Sequence, residues 1–266
     1  MTDTPISSAP ERPPLNVIDI VTSTFSVYWR GLFYFLPVVL LFSIAFEVVG
    51  AEISAFITRT IVATIWLNLF QGLGNLLGGF FYNIAAQALV VLPAIHLYRD
   101  GKLQIFRSVR GLLLALLPVT ALSVIVSILT MIGFVFLVVP GIVISLMLFV
   151  AMPILLDERA GLRAIPRSMN LTRDYRWSLL GLSILISLIT LIVGLLFSLG
   201  LTPALLWIVS LEIYNDFLVR ILSALINSLS YVFVVPIGGI SVVIAYTRLK
   251  EIKEGGETGD LLKVFE

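Results

Sequence analysis

Arg159, Arg163 and Arg167 recur every four residues between Asp157 and Trp177, and Arg173 follows them. A guanidinium presents a planar fork of donors that matches two phosphate oxygens, so these arginines are candidates for a lipid-headgroup or phosphate site. On a continuous helix the spacing puts Arg159, Arg163 and Arg167 on one basic face, with Leu162, Ile165 and Met169 forming an apolar one. Pro166 can break or restart that helix. A plainer alternative stays open: a basic loop on the bilayer surface, its arginines paired with Asp157, Glu158 and Asp174.

A second group of polar residues lies inside apolar sequence. Asn75, Gly79, Asn83 and Gln87 are spaced by four and share one helical face, and Asn227 with Ser223 and Tyr231 forms a similar stripe. Thr120, Ser123, Ser127 and Thr130 line another segment, as do Ser183, Ser187, Thr190, Gly194 and Ser198. Amides in hydrocarbon need partners, so these faces are expected to point inward, as a polar pathway or as interhelical glue. Gly74 and Gly78 fit the small-xxx-small contact of the second kind. Glu47, with Glu52 after it, is an ion-coupling candidate if it lies deep in lipid and an interfacial carboxylate if it reaches water. The lone His96, one turn before Arg99, reads as an interfacial hydrogen-bonding residue rather than a ligand.

Catalytic chemistry has little to draw on. The chain has no cysteine and one histidine, which excludes disulfides, thiolate ligands and a cysteine nucleophile. No nucleotide-binding glycine loop, metal-ligand cluster or nucleophile with a base in reach is recognisable, so no cofactor, no metal and no enzymatic activity are expected. Nucleic acid is not an expected partner either, because the net charge is only +1 and the basic residues follow a membrane face.

The elements that must position these residues are membrane spans. Of the 266 residues 59% are hydrophobic and 12% charged, against about 25% charged in an average soluble chain. A helix needs roughly 20 mostly apolar residues to cross the bilayer core. Six stretches qualify: Leu32 to Val49, Gly74 to Leu97, Leu112 to Met131, Phe134 to Leu155, Leu179 to Leu199 and Ile221 to Tyr246. The predicted fold is an all-α integral membrane protein with six transmembrane helices and cytoplasmic amphipathic segments. Residues 1–15, rich in proline, read as a solvated cytoplasmic tail without a cleaved signal peptide. Residues 16–30 read as an interfacial amphipathic helix, 31–246 as the membrane domain and 247–266 as a second cytoplasmic tail. Segments 53–70 and 202–217, each with one tryptophan (Trp66, Trp207), are expected to be amphipathic or re-entrant pieces on the outer surface.

Charge orients the spans. With both termini inside, only Arg59 and Arg220 of the 17 Lys and Arg residues fall on the outer face. An extra crossing near 53–70 would move several basic loops outside. The positive-inside rule therefore predicts six spans, with N and C termini cytoplasmic, in a plasma membrane. Each outward span follows a basic segment, at Arg30-Gly31-Leu32, Arg110-Gly111-Leu112 and Arg176-Trp177, which allows three helical hairpins arranged as a parallel repeat. Prolines at 37, 93, 118, 140, 153 and 236 border or enter five spans, as tolerated kinks or as broken helices around a binding site.

Pro140-Gly141-Ile142, Pro153-Ile154-Leu155-Leu156-Asp157-Glu158, Ala164-Ile165-Pro166-Arg167-Ser168-Met169-Asn170-Leu171 and Trp177 form a recognisable series. It resembles the membrane domain attached to some glycerophosphodiester phosphodiesterases and the related YciC-like inner-membrane proteins. The entry segment Asn16 to Leu40 is similar too. That resemblance implies a six-helix membrane fold of largely uncharacterised role. No catalytic domain follows Tyr246 in this sequence, so no catalytic residue carries over.

Three functions are compatible with these features. The first is a membrane-organising module that engages lipid headgroups, with anionic phospholipid at the cytoplasmic face as its partner. The second is a small-solute permease with a polar pathway between spans two and six. The third is a membrane subunit that partners a separate lipid or phosphodiester enzyme, and a protein partner or a homo-oligomer fits any of them.

Overall fold

The computed structural model describes residues 15–60, 64–210 and 216–264, and every described element is helical. In chain order these are α1 (Val17–Thr60), α2 (Thr64–Asp100), α3 (Ile105–Leu114), α4 (Leu116–Phe136), α5 (Val138–Met147) and α6 (Ala151–Glu158). A 3-10 turn (Gly161–Arg163), α7 (Ala164–Thr172), α8 (Arg176–Ser210) and α9 (Asp216–Val264) follow. Six stretches are long and apolar enough to cross a membrane: Val17–Phe56, Leu77–Asp100, Leu116–Phe136, Val138–Glu158, Arg176–Leu201 and Tyr231–Gly255. The chain is a polytopic, multi-pass membrane protein, and each of the six segments read from the sequence overlaps one of these.

Consecutive spans pack as three hairpins, α1 with α2, α4 with α5, and α8 with α9. Helix α9 also lies along α1 and α2 and closes the bundle. Asn16 starts α1 by accepting the amide hydrogens of Ile18 and Asp19 on its side-chain oxygen, at 3.2 and 3.4 Å, which satisfies two donors that a helix start leaves unpaired. From there α1 runs unbroken to Thr60. Residues 16–30 are therefore continuous with the first span and not a separate helix, and Ile20, Thr24, Val27 and Tyr28 are buried. An Asp19–Arg248 ion pair at 2.9 Å fixes the start of α1 against α9. The described parts of segment 53–70 belong to the end of α1 and the start of α2, and those of 202–217 to α8 and α9; residues 61–63 and 211–215 lie outside the described residues.

The α4–α5 turn is tight because two glycines meet there. A Cβ on Gly133 would stand 2.9 Å from the Cα of Gly141, so side chains are excluded from this crossing. One extended residue, Leu137, makes the turn, and Pro140 falls in the first turn of α5, where its missing amide hydrogen costs nothing.

The fourth span is interrupted. Pro153 has no amide hydrogen to give and its ring crowds the carbonyl four residues back, so the helix breaks before it, at Leu148–Val150. The amide of Ala151 bonds to Leu148 O at 3.0 Å instead of continuing the α pattern to Met147. The released carbonyl of Met147 accepts the Ser168 hydroxyl at 2.8 Å, so α7 supplies the hydrogen bond that the break removed. Helix α7 is consequently docked on the bundle by Ala164, Ser168, Leu171 and Thr172, all buried. Leu162, in the preceding 3-10 turn, and Met169, both on the expected apolar face, are exposed.

Among the described residues the buried side chains form one core cluster. It is built mainly from α1 up to Val39, α2 from Tyr82, α6, the start of α8 and α9 from Val232 to Leu249.

Candidate functional site at the charged face

Ion pairs bring the start of α1, the ends of α2 and α6, α7 and the Arg248–Glu254 stretch of α9 to one face of the bundle. At its centre stand the consecutive carboxylates Asp157 and Glu158, which close α6. Arg99 grips Asp157 with two parallel bonds of 2.8 and 3.0 Å. Lys250 reaches Glu158 at 2.8 Å, and Arg167 bridges Glu158 and Glu254. The Tyr246 hydroxyl, on a fully buried side chain, lies 2.8 Å from Asp157 and 3.0 Å from Glu158.

These contacts join α2, α6, α7 and α9 in one lock. The carboxylates are only partly desolvated, with side chains 15% and 19% exposed, and each has cationic and hydroxyl donors. Partners on several sides offset the cost of drawing charges out of water. The bonds that Arg167 donates to Glu158, and then to Glu254, raise its guanidinium above its ordinary pKa. Arg167 is thus a structural cation at all accessible pH.

This arrangement corrects the expectation of one basic helical face. Arg159 terminates α6 in the left-handed conformation, at φ 51° and ψ 35°; Arg163 ends the 3-10 turn and only Arg167 sits in α7. The four-residue spacing does not describe a shared face, because the backbone reverses between Arg159 and Ala164. Pro166 does not break α7, since it stands in the helix's first turn. Arg159, Arg163 and Arg173 are exposed, and among the described residues none has a carboxylate partner within ion-pair distance. Asp157 and Glu158 pair with Arg99, Lys250 and Arg167, while Asp174 receives Lys253 at 3.0 Å.

Next to the lock, a cavity of ≈ 520 Å³ opens between the end of α2, α3, the start of α4 and the α6–α7 turn. Leu92, Ile95, Leu114, Ala115, Pro118, Leu155 and Leu156 give it apolar walls, and Arg99, Arg107, Arg159, Asp100, Asp157 and His96 line its polar side. His96 Nδ1 lies 3.0 Å from the Ser108 hydroxyl and ties α3 to α2, the hydrogen-bonding role expected of it. Helix α3 leaves Phe106, Val109 and Leu113 exposed, an apolar ridge of the kind that lies in the headgroup region.

The described intramembrane polar residues occupy several different faces. Asn83 is exposed and donates to Gly79 O of its own helix at 3.2 Å. The buried face of α2 is the adjacent one, through Tyr82, Ala86, Val90 and Ala94. Gln87 is half-buried, and close to it α2 and α9 meet, where a Cβ on Gly239 would come within 3.1 Å of Val90. Glu47 is half-buried; the side chains of Asn75 and Asn227 lie outside the described residues. Ser123, Ser127 and Thr130 of α4 do face inward, while Thr120 is exposed. Tyr82 hydrogen-bonds Ser43 of α1 at 2.6 Å, an interhelical contact of the glue type.

Sequence reasoning missed Lys250, Tyr246, Glu254 and Arg107 as site residues. A signal existed for the first three, since 246, 250 and 254 follow at intervals of four and make one polar stripe on α9. Among the described residues no group of three or more Asp, Glu or His is placed to hold a metal ion. Comparison with known proteins gave no match to a family model, a characterised protein or a solved structure.

Proposed function

We propose that this protein is a plasma-membrane module that engages anionic phospholipid headgroups at its charged face, with that face and both termini cytoplasmic. One observation carries the reading. Acids and bases on this face are unequally used: Asp157, Glu158 and Asp174 are neutralised by Arg99, Arg167, Lys250 and Lys253, which leaves Arg159, Arg163 and Arg173 exposed and without carboxylate partners among the described residues. Cations at headgroup depth each contribute about 1 kcal/mol of attraction to an anionic surface. A pathway between spans two and six gains no support, because Asn83 points out of the bundle and α2 meets α9 at Val90 and Gly239.

The test is lipid selectivity in reconstituted vesicles, read with spin-labelled phosphatidylglycerol against phosphatidylcholine. Replacing Arg159, Arg163 and Arg173 together by Gln is expected to abolish the preference for the anionic lipid. An unchanged preference would remove the reading. Reporter fusions after Lys102, Asp216 and Lys263 are expected to read inside, outside and inside.

A further inference from the structure

We infer that the cavity beside the lock binds one phosphate ester group between Arg107 and Arg159, the natural source being a single phospholipid that enters from the adjacent leaflet. This rests on the headgroup reading above and narrows it from a charged surface to a site for one molecule.

Of the three arginines that line the cavity, Arg99 is committed to Asp157 by its two bonds. Arg107 and Arg159 have no carboxylate partner within ion-pair distance among the described residues. Arg107 is positioned by Gln104, whose side-chain oxygen accepts from it at 3.1 Å and whose amide donates to Asp100 at the same distance. Asp157 being matched by Arg99, the remaining lining charges are Asp100 and two arginines, a net excess of one positive charge. That balance suits a phosphodiester.

The backbone at Arg159 supplies an independent observation. A left-handed residue ending a helix is usually glycine, because a side chain with a Cβ is strained there. Here an arginine holds that position, at φ 51°, and it lines the cavity. Strain kept at a residue lining a cavity points to a use for its side chain. Apolar walls at Leu114 and Pro118 and a volume of ≈ 520 Å³ exceed what a bare phosphate needs, and Leu114 is exposed on the outside of the bundle. An acyl chain can therefore lie alongside while the phosphate remains at the arginines.

The test uses the full chain purified in detergent. Native mass spectrometry counts retained dioleoyl phosphatidylglycerol, and the melting temperature is read with and without that lipid, dioleoyl phosphatidylcholine or millimolar inorganic phosphate. The wild type is expected to retain one phosphatidylglycerol and to be stabilised by it. Arg159→Gly is expected to melt at or above the wild-type temperature without lipid, because the left-handed strain is relieved, yet to bind at least tenfold more weakly. Ala115→Leu, which fills the cavity without changing charge, and Arg107→Gln are expected to lose the same lipid. Arg163→Gln, outside the cavity, is expected to keep it. Stabilisation by inorganic phosphate that disappears in Arg159→Gly would support the phosphate site and assign its source to soluble esters. Wild-type binding by both Arg159→Gly and Ala115→Leu would overturn the inference. A loss in Arg163→Gln equal to that in Arg159→Gly would overturn it as well, while leaving the charged-surface reading in place; unchanged spin-label selectivity in the triple Gln variant would sink that reading by itself.

Discussion

Arg159 and Arg167 belong to one short loop, and the fold uses them in opposite ways. Arg167 lies on a docked helix and is consumed by Glu158 and Glu254. Arg159 closes the preceding helix in a strained conformation, exposed and beside a cavity. What separates them is the break in the fourth span: Pro153 interrupts the helix, Ser168 caps the freed Met147 carbonyl, and this draws α7 inward until Arg167 meets the carboxylates. One half of the charged face therefore holds the bundle together and the other half remains available. Residue type alone does not tell them apart.

Substitutions in the lock are expected to act on stability, in a graded order. Glu158→Ala leaves Arg167 and Lys250 without their shared partner. Removing one member of a buried pair costs about 3–5 kcal/mol, and partial exposure here reduces the expectation to roughly 2–3 kcal/mol, read as the shift in denaturation midpoint in mixed micelles. Tyr246→Phe deletes a buried hydroxyl that serves both carboxylates and is expected to cost about 1–3 kcal/mol in the same assay. Ser168→Ala, which orphans the Met147 carbonyl at the helix break, is expected to cost about 1 kcal/mol and to speed proteolysis within the α6–α7 turn. The smallest change is Arg163→Gln, expected to stay within about 0.5 kcal/mol of wild type. A destabilisation by Arg163→Gln as large as that by Glu158→Ala would erase the distinction between the two halves.

The spans were legible because a stretch free of charge and long enough to cross lipid has few other uses. Boundaries were less so. Helices α1, α8 and α9 run well past the hydrophobic stretches, because nothing in Asn16–Arg30 or Thr202–Ser210 stops a helix, and Pro203 is accommodated within α8. The basic loop stands out in the sequence by its arginine spacing, but that spacing does not carry its internal geometry. A period of four implies a common face only on a continuous helix, and the left-handed residue Arg159 ends α6 before Arg163 is reached. The lock was hidden for a different reason: Glu158 and Tyr246 are 88 residues apart, and only the tertiary fold unites them. At Asn83 the inward expectation fails because a helix can present an amide to its own backbone, as Asn83 does at Gly79. The amide then needs no partner across the bundle.

The most direct test compares two multiple variants in one preparation. Arg159, Arg163 and Arg173 are replaced by Gln in the first, Arg167 and Lys250, lock cations outside the cavity, in the second, and both are reconstituted into vesicles of phosphatidylglycerol and phosphatidylcholine. Spin-label selectivity for the anionic lipid is measured below the unfolding midpoint of each. The first variant is expected to lose selectivity with its denaturation midpoint unchanged, and the second to keep selectivity with its midpoint lowered. Equal loss of selectivity in both, or a lowered midpoint in the first, would contradict the division of this face into a structural half and a lipid-binding half.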